Sequence, residues 1–128
     1  MTWTLVGVFA LVMGVAIAAT WTLGLVRGRV DLSAGAFRAR EEGSGSLLWP
    51  HWLAEYGTAA ALVAGGVGLL AHLGWGEPVV LLGLGACVYT SVNSLGWALA
   101  EPARRPYAIP MLVGAVGGLA SAAALLAT

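Results

Sequence analysis

The chain has 128 residues, 59% of them hydrophobic and 9% charged, with a net charge of zero. A water-soluble domain carries about 25% charged residues, so this composition excludes a fold that covers itself with polar surface. The absence of lysine and of any positive excess argues against nucleic-acid binding. A single cysteine, Cys87, excludes an intrachain disulfide and a multi-cysteine metal site.

Residues 3–26 are the first apolar stretch. About 20 such residues make a helix that crosses a hydrocarbon core of roughly 30 Å, and backbone in lipid must bond within itself, which dictates helix. A secretory signal would place its positive charges before an apolar run of about 7–15 residues. Here the arginines follow a longer run, so the segment reads as a retained first span. Gly14 and Ala18, four apart, offer a face for close helix approach.

The loop 27–50 carries Arg27, Arg29, Arg38 and Arg40. Within it, 30–40 has the composition of a short interfacial segment, and Glu41-Glu42-Gly43-Ser44-Gly45-Ser46 reads as flexible linker. The second span is 52–73, with Ala61 and Gly65 on a packing face. Gly74-Trp75-Gly76-Glu77-Pro78 signals a tight turn. The third span is 78–100, and the prolines of Glu101-Pro102-Ala103-Arg104-Arg105-Pro106 break the helix before the fourth, 107–127. There Gly114, Gly118 and Ala122 recur at four-residue spacing.

Every arginine lies in the first or third loop, and with four crossings those loops share one side. Loops rich in Lys and Arg stay cytoplasmic. The expected fold is therefore an all-α membrane protein: one domain, 1–128, an antiparallel bundle of four transmembrane helices with both termini outside, multi-pass in the cytoplasmic (inner) membrane. Trp49, Trp52 and Tyr107 would belong to the cytoplasmic aromatic belt, and Trp3 and Trp75 to the outer one.

Polar residues concentrate in the cytoplasmic half of spans two and three. His51, Glu55, Thr58, Leu62 and Gly65 follow steps of four and three, forming one stripe. Cys87, Thr90, Ser94, Trp97 and Glu101 form a similar stripe, with Tyr89 and Asn93 beside it. Folding the hairpin about Trp75 and Gly76 sets Thr58 level with Asn93. The candidate polar pocket is His51, Glu55, Thr58, Tyr89, Asn93 and Trp97. Glu55 is the candidate catalytic or proton-handling group, since an intramembrane carboxylate faces the protein interior with a partner; His51, Asn93 and Tyr89 are partner candidates. The plainer alternative is an interfacial carboxylate that ties helices together. The helix-packing set is Gly14, Ala18, Ala61, Gly65, Gly114 and Gly118. His51 and Glu55 have the spacing of two metal ligands, but no third stands out. No metal and no cofactor is expected.

At His51-Trp52-Leu53-Ala54-Glu55-Tyr56-Gly57-Thr58-Ala59, at Gly65-Gly66-Val67-Gly68-Leu69-Leu70 and at Tyr89-Thr90-Ser91-Val92-Asn93-Ser94-Leu95-Gly96, the chain resembles a group of small uncharacterised prokaryotic four-span membrane proteins. That resemblance covers spans two and three and implies the four-span fold without an activity. In length, span count, basic first loop and Ala54-Glu55-Tyr56 it also resembles the membrane-associated eicosanoid and glutathione metabolism family, trimers of four-helix subunits. His51 stands where that family has asparagine, and the basic in-span residues that bind glutathione there are missing.

The expected function is a non-enzymatic integral membrane bundle with a small-solute or ion transport role or a complex-support role. The alternative is a membrane enzyme acting on a lipophilic substrate, glutathione-transferase-like or isomerase-like, with Glu55 as acid/base. The expected partner is the lipid bilayer, with no nucleic acid. A homo-oligomer, a larger membrane complex and an unidentified small-molecule ligand stay open.

Overall fold

The structure, a computed structural model, describes residues 1–27, 49–100 and 102–128. They form α1 (Thr2–Val26), α2 (Trp49–Leu70), α3 (Gly76–Leu99), a 3₁₀ segment (Pro102–Tyr107) and α4 (Ala108–Leu126), with no strand among the described residues. The expectations for 30–40, for 41–46 and for Glu101 lie outside the described residues.

Proline and glycine chemistry sets the helix ends. Pro50, Pro78 and Pro110 each sit within the first turn of α2, α3 and α4, where the backbone N–H has no intrahelical acceptor and its loss is harmless. This lets α2 begin at Trp49 and α3 at Gly76, each slightly before the start read from hydropathy. At its other end α2 closes in a Schellman motif. The Leu73 N–H bonds the Gly68 carbonyl at 2.9 Å and the His72 N–H bonds that of Leu69 at 3.2 Å. His72 takes the left-handed conformation that this cap requires, with φ 55°.

The chain reverses around His72 and Leu73, earlier than the Trp75-Gly76 pivot suggested by composition. A methyl group built on Gly65 would overlap the Val80 backbone, and one built on Gly83 would meet the Leu62 backbone. These pairs put Thr58 level with Cys87 instead of Asn93, a register difference of about 9 Å at about 1.5 Å per residue. The cap, not the glycine–proline cluster, fixes the pivot.

The helices form an up-and-down ring. α1 packs on α2, α2 on α3 and α3 on α4, while α1 and α4 close the ring with a smaller contact. Facing pairs advance in opposite senses at each seam: Gly7 with Gly66 and Gly14 with Leu62, then Gly65 with Val80, then Gly118 with Val88 and Gly114 with Ser91. All neighbours are therefore antiparallel. At each seam glycine lets a partner backbone or side chain sit where a Cβ would be, and close packing of this kind drives helix association in lipid. Leu62, Leu69, Val80, Leu84 and Cys87 fill the middle without exposure.

The outside of the bundle is apolar. Leu82 is 69% exposed, Ile109 68% and Val116 65%, a surface that water penalises and hydrocarbon accepts. All four helices are long and apolar enough to cross a membrane, which suggests a multi-pass membrane protein.

Candidate functional site

The polar groups gather at the end of the bundle where α1 finishes, α2 starts and α3 finishes. On α2, His51 and Glu55 are one turn apart and share a face. Glu55 is buried, at 6% exposure. His51 Nε2 lies 3.6 Å from Glu55 Oε1, a close contact longer than a hydrogen bond. From α1, the Trp21 indole stands within hydrogen-bonding influence of the Glu55 carboxyl group. The Trp21 ring also meets His51 edge-on, with centroids 5.5 Å apart. One residue further along each helix, the hydroxyls of Thr22 and Tyr56 share a short hydrogen bond, and the Tyr56 hydroxyl also reaches toward the Ala18 carbonyl at 3.4 Å. Two polar latches thus join the end of α1 to the start of α2.

Beside this seam, on the flank of α2 toward α3, a groove of about 340 Å³ opens between α2 and α3. His51, Thr58, Tyr89, Thr90 and Asn93 contribute its polar lining, and Ala54, Gly57, Ala61, Leu82 and Ala86 the rest. Of the six pocket residues read from sequence, four line this groove: His51, Thr58, Tyr89 and Asn93. Glu55 lies at the α1 seam and Trp97 is half-buried near Tyr107, with ring centroids 6.1 Å apart. Thr58 and Thr90 turn their hydroxyls back onto the carbonyls of Ala54 at 2.9 Å and Cys87 at 3.3 Å. The Asn93 amide and Tyr89 hydroxyl have no hydrogen-bond partner among the described residues.

The packing residues read from sequence fall at several seams. A methyl group on Gly14 would meet Val63 and Ala59 of α2, and those on Gly114 and Gly118 would meet Ser91 and Val88 of α3. Ala18 and Ala61 are half-buried, Ala18 at the Tyr56 latch and Ala61 in the groove. Cys87 is buried, its sulfur 3.9 Å from both the Ser91 hydroxyl and the Gly114 carbonyl. No group of three His, Cys, Asp or Glu able to hold a metal ion occurs among the described residues.

Trp21, Thr22 and Tyr56 are the site residues that sequence reasoning passed over. A signal did exist: with two antiparallel spans, the last turn of the first must stand beside the first turn of the second. Thr20, Trp21 and Thr22 are the donor-bearing side chains near that end of α1.

Fold and site together define a compact bundle of four apolar helices, latched by aromatic and hydroxyl groups at one end and grooved on one flank. The chain belongs to the family described as a domain of unknown function, DUF8058, which matches residues 1–113. No curated protein and no solved structure matches it.

Proposed function

We propose that this chain is a non-enzymatic, multi-pass protein of the cytoplasmic membrane, with both termini outside and the arginine-bearing loops inside, acting in support of a membrane assembly. The orientation rests on the arginine pattern. One observation carries the functional part: Glu55, the one acidic side chain well inside a helix among the described residues, is engaged at the α1–α2 seam with Trp21 and His51 and does not line the groove. A carboxyl group held there serves helix association, and general acid–base work on a groove-bound molecule needs reach of about 3 Å. The filled interior of Leu62, Leu69, Val80 and Leu84 also argues against a solute path through one copy.

Reconstituted Glu55→Gln chain tests this reading. The expected result is lower thermal stability in detergent, with proteoliposomes that show the same ion and solute permeability as the unaltered protein. Flux or substrate turnover that disappears with Glu55→Gln in a still-folded chain would overturn it. The second reading, an enzyme acting on a lipophilic molecule, draws on the convergence of His51, Thr58, Tyr89 and Asn93 in one groove. It requires turnover that falls with Tyr89→Phe or Asn93→Leu while folding is retained.

A further inference from the structure

From the groove between α2 and α3 we infer that the chain binds an uncharged amphiphile there, one with a compact head bearing carbonyl or hydroxyl oxygens and a single flexible apolar tail. The inference rests on the bilayer placement proposed above and names what occupies that flank of the bundle.

Size comes first. At about 340 Å³ the groove lies at the low end of small-molecule sites, roughly 300–1,000 Å³. Polarity comes next, and it is graded with depth. The packed pairs Leu62–Gly83 and Gly65–Val80 set His51 and Asn93 near one level, close to the helix ends. Tyr89 stands one turn deeper, and Leu82, beside Ala61, two turns deeper again. Hydrogen-bonding groups therefore run from the helix ends inward to Thr58, level with Cys87 near the middle of α3, and Ala61, Ala86 and Leu82 line the part beyond. An amphiphile has this same order of parts.

The head is neutral because the groove lining among the described residues contains no Arg, Lys, Asp or Glu. It carries oxygen because the Asn93 amide and Tyr89 hydroxyl have no hydrogen-bond partner among the described residues. A polar group facing hydrocarbon without one costs several kcal/mol. Gly57 adds an independent observation. A methyl group built on it meets nothing within 4 Å, whereas methyl groups on Gly14, Gly65 and Gly118 would collide with neighbouring helices. Glycine inside a helix costs about 1 kcal/mol relative to alanine, and Gly57 has no packing among the described residues to offset it. It leaves bare backbone in the groove wall for an occupant to lie against. A second copy of the chain fits less well. Leu82 and Tyr89, 69% and 73% exposed, stand along the α3 wall, where a helix about 10 Å across would have to displace them and a single hydrocarbon tail passes beside them.

The test is saturation binding of decylubiquinone to the full chain in phosphatidylcholine nanodiscs, with uptake by empty nanodiscs subtracted. We expect saturable binding that decyl phosphate does not displace. Gly57→Leu should weaken it at least about tenfold while helical content and thermal midpoint stay unchanged, since its side chain enters open space. Asn93→Leu should weaken it as well. Uptake no greater than in empty nanodiscs, Gly57→Leu binding like the unaltered chain, or equal competition by decyl phosphate would each overturn the inference. So would oxidation of Asn93→Cys, in a Cys87→Ser background, to a disulfide-linked dimer that excludes the probe, because a second copy would then own the groove. These outcomes leave the membrane reading intact, whereas a chain recovered from cells without detergent would remove that reading itself.

Discussion

Glu55 and Tyr56 are consecutive, and both reach across to α1, Glu55 to Trp21 and Tyr56 to Thr22. The two contacts should differ in weight. Interhelical hydrogen bonds in membranes average about 0.6 kcal/mol, so Tyr56→Phe should lower stability by about that amount. Trp21→Phe removes the donor to a buried carboxyl group, and a buried acceptor left unmatched costs about 1–3 kcal/mol. Unfolding in detergent and denaturant reads both variants, and equal losses would refute the assignment of Trp21 as the principal donor. At this scale the sequence announced that a carboxylate inside a span needs an interior partner. It did not name Trp21, because α1 and α2 are separated by a long loop that gives no register, whereas the short α2–α3 turn invited a search on α3 alone.

Among elements, the hairpin of α2 and α3 shows how one backbone conformation outweighs composition. Glycine and proline cluster at 74–78, yet the chain turns at His72 because its left-handed residue lets the Schellman bonds form. A β-carbon at φ 55° is disfavoured by roughly 1–2 kcal/mol, so His72→Gly should stabilise the hairpin by up to about that amount, less glycine's greater loss of backbone freedom. A lower thermal midpoint for that variant would mean the imidazole makes a compensating contact. Two glycines of α2 provide a matched comparison. Gly65→Ala should destabilise by about 1–3 kcal/mol through overpacking against the Val80 backbone. Gly57→Ala should be neutral or stabilise by up to about 1 kcal/mol. Similar losses in both would contradict the register described for α2 and α3. Helix number and order were legible because each apolar run is long; register was not, since hydropathy is nearly uniform along such runs.

For the molecule as a whole, the exposed faces carry leucine and valine on every helix, and both Arg27 and Arg105 adjoin the end bearing Trp21 and Tyr107. In a Cys87→Ala background, Arg27→Cys and Arg105→Cys should react with a membrane-impermeant maleimide only after the membrane is opened. Trp3→Cys and Trp75→Cys should react in intact cells. The reverse pattern, or Arg27→Cys and Arg105→Cys on opposite sides, would defeat the proposed topology. Charge content alone already suggested four apolar helices long enough to cross a membrane; the groove was not legible, because it exists only once α2 and α3 are placed side by side.

The ring is also uneven in a way that bears on biosynthesis. Among the described residues, three extensive interfaces join successive helices, and the modest closure through Phe9 and Met13 against Gly117 and Gly114 links first to last. During translation, folding proceeds from the N-terminus, so each helix emerging from the ribosome meets its principal partner already in place. Release of a chain cut short before α4 would forfeit one flank and leave the latch between α1 and α2 complete.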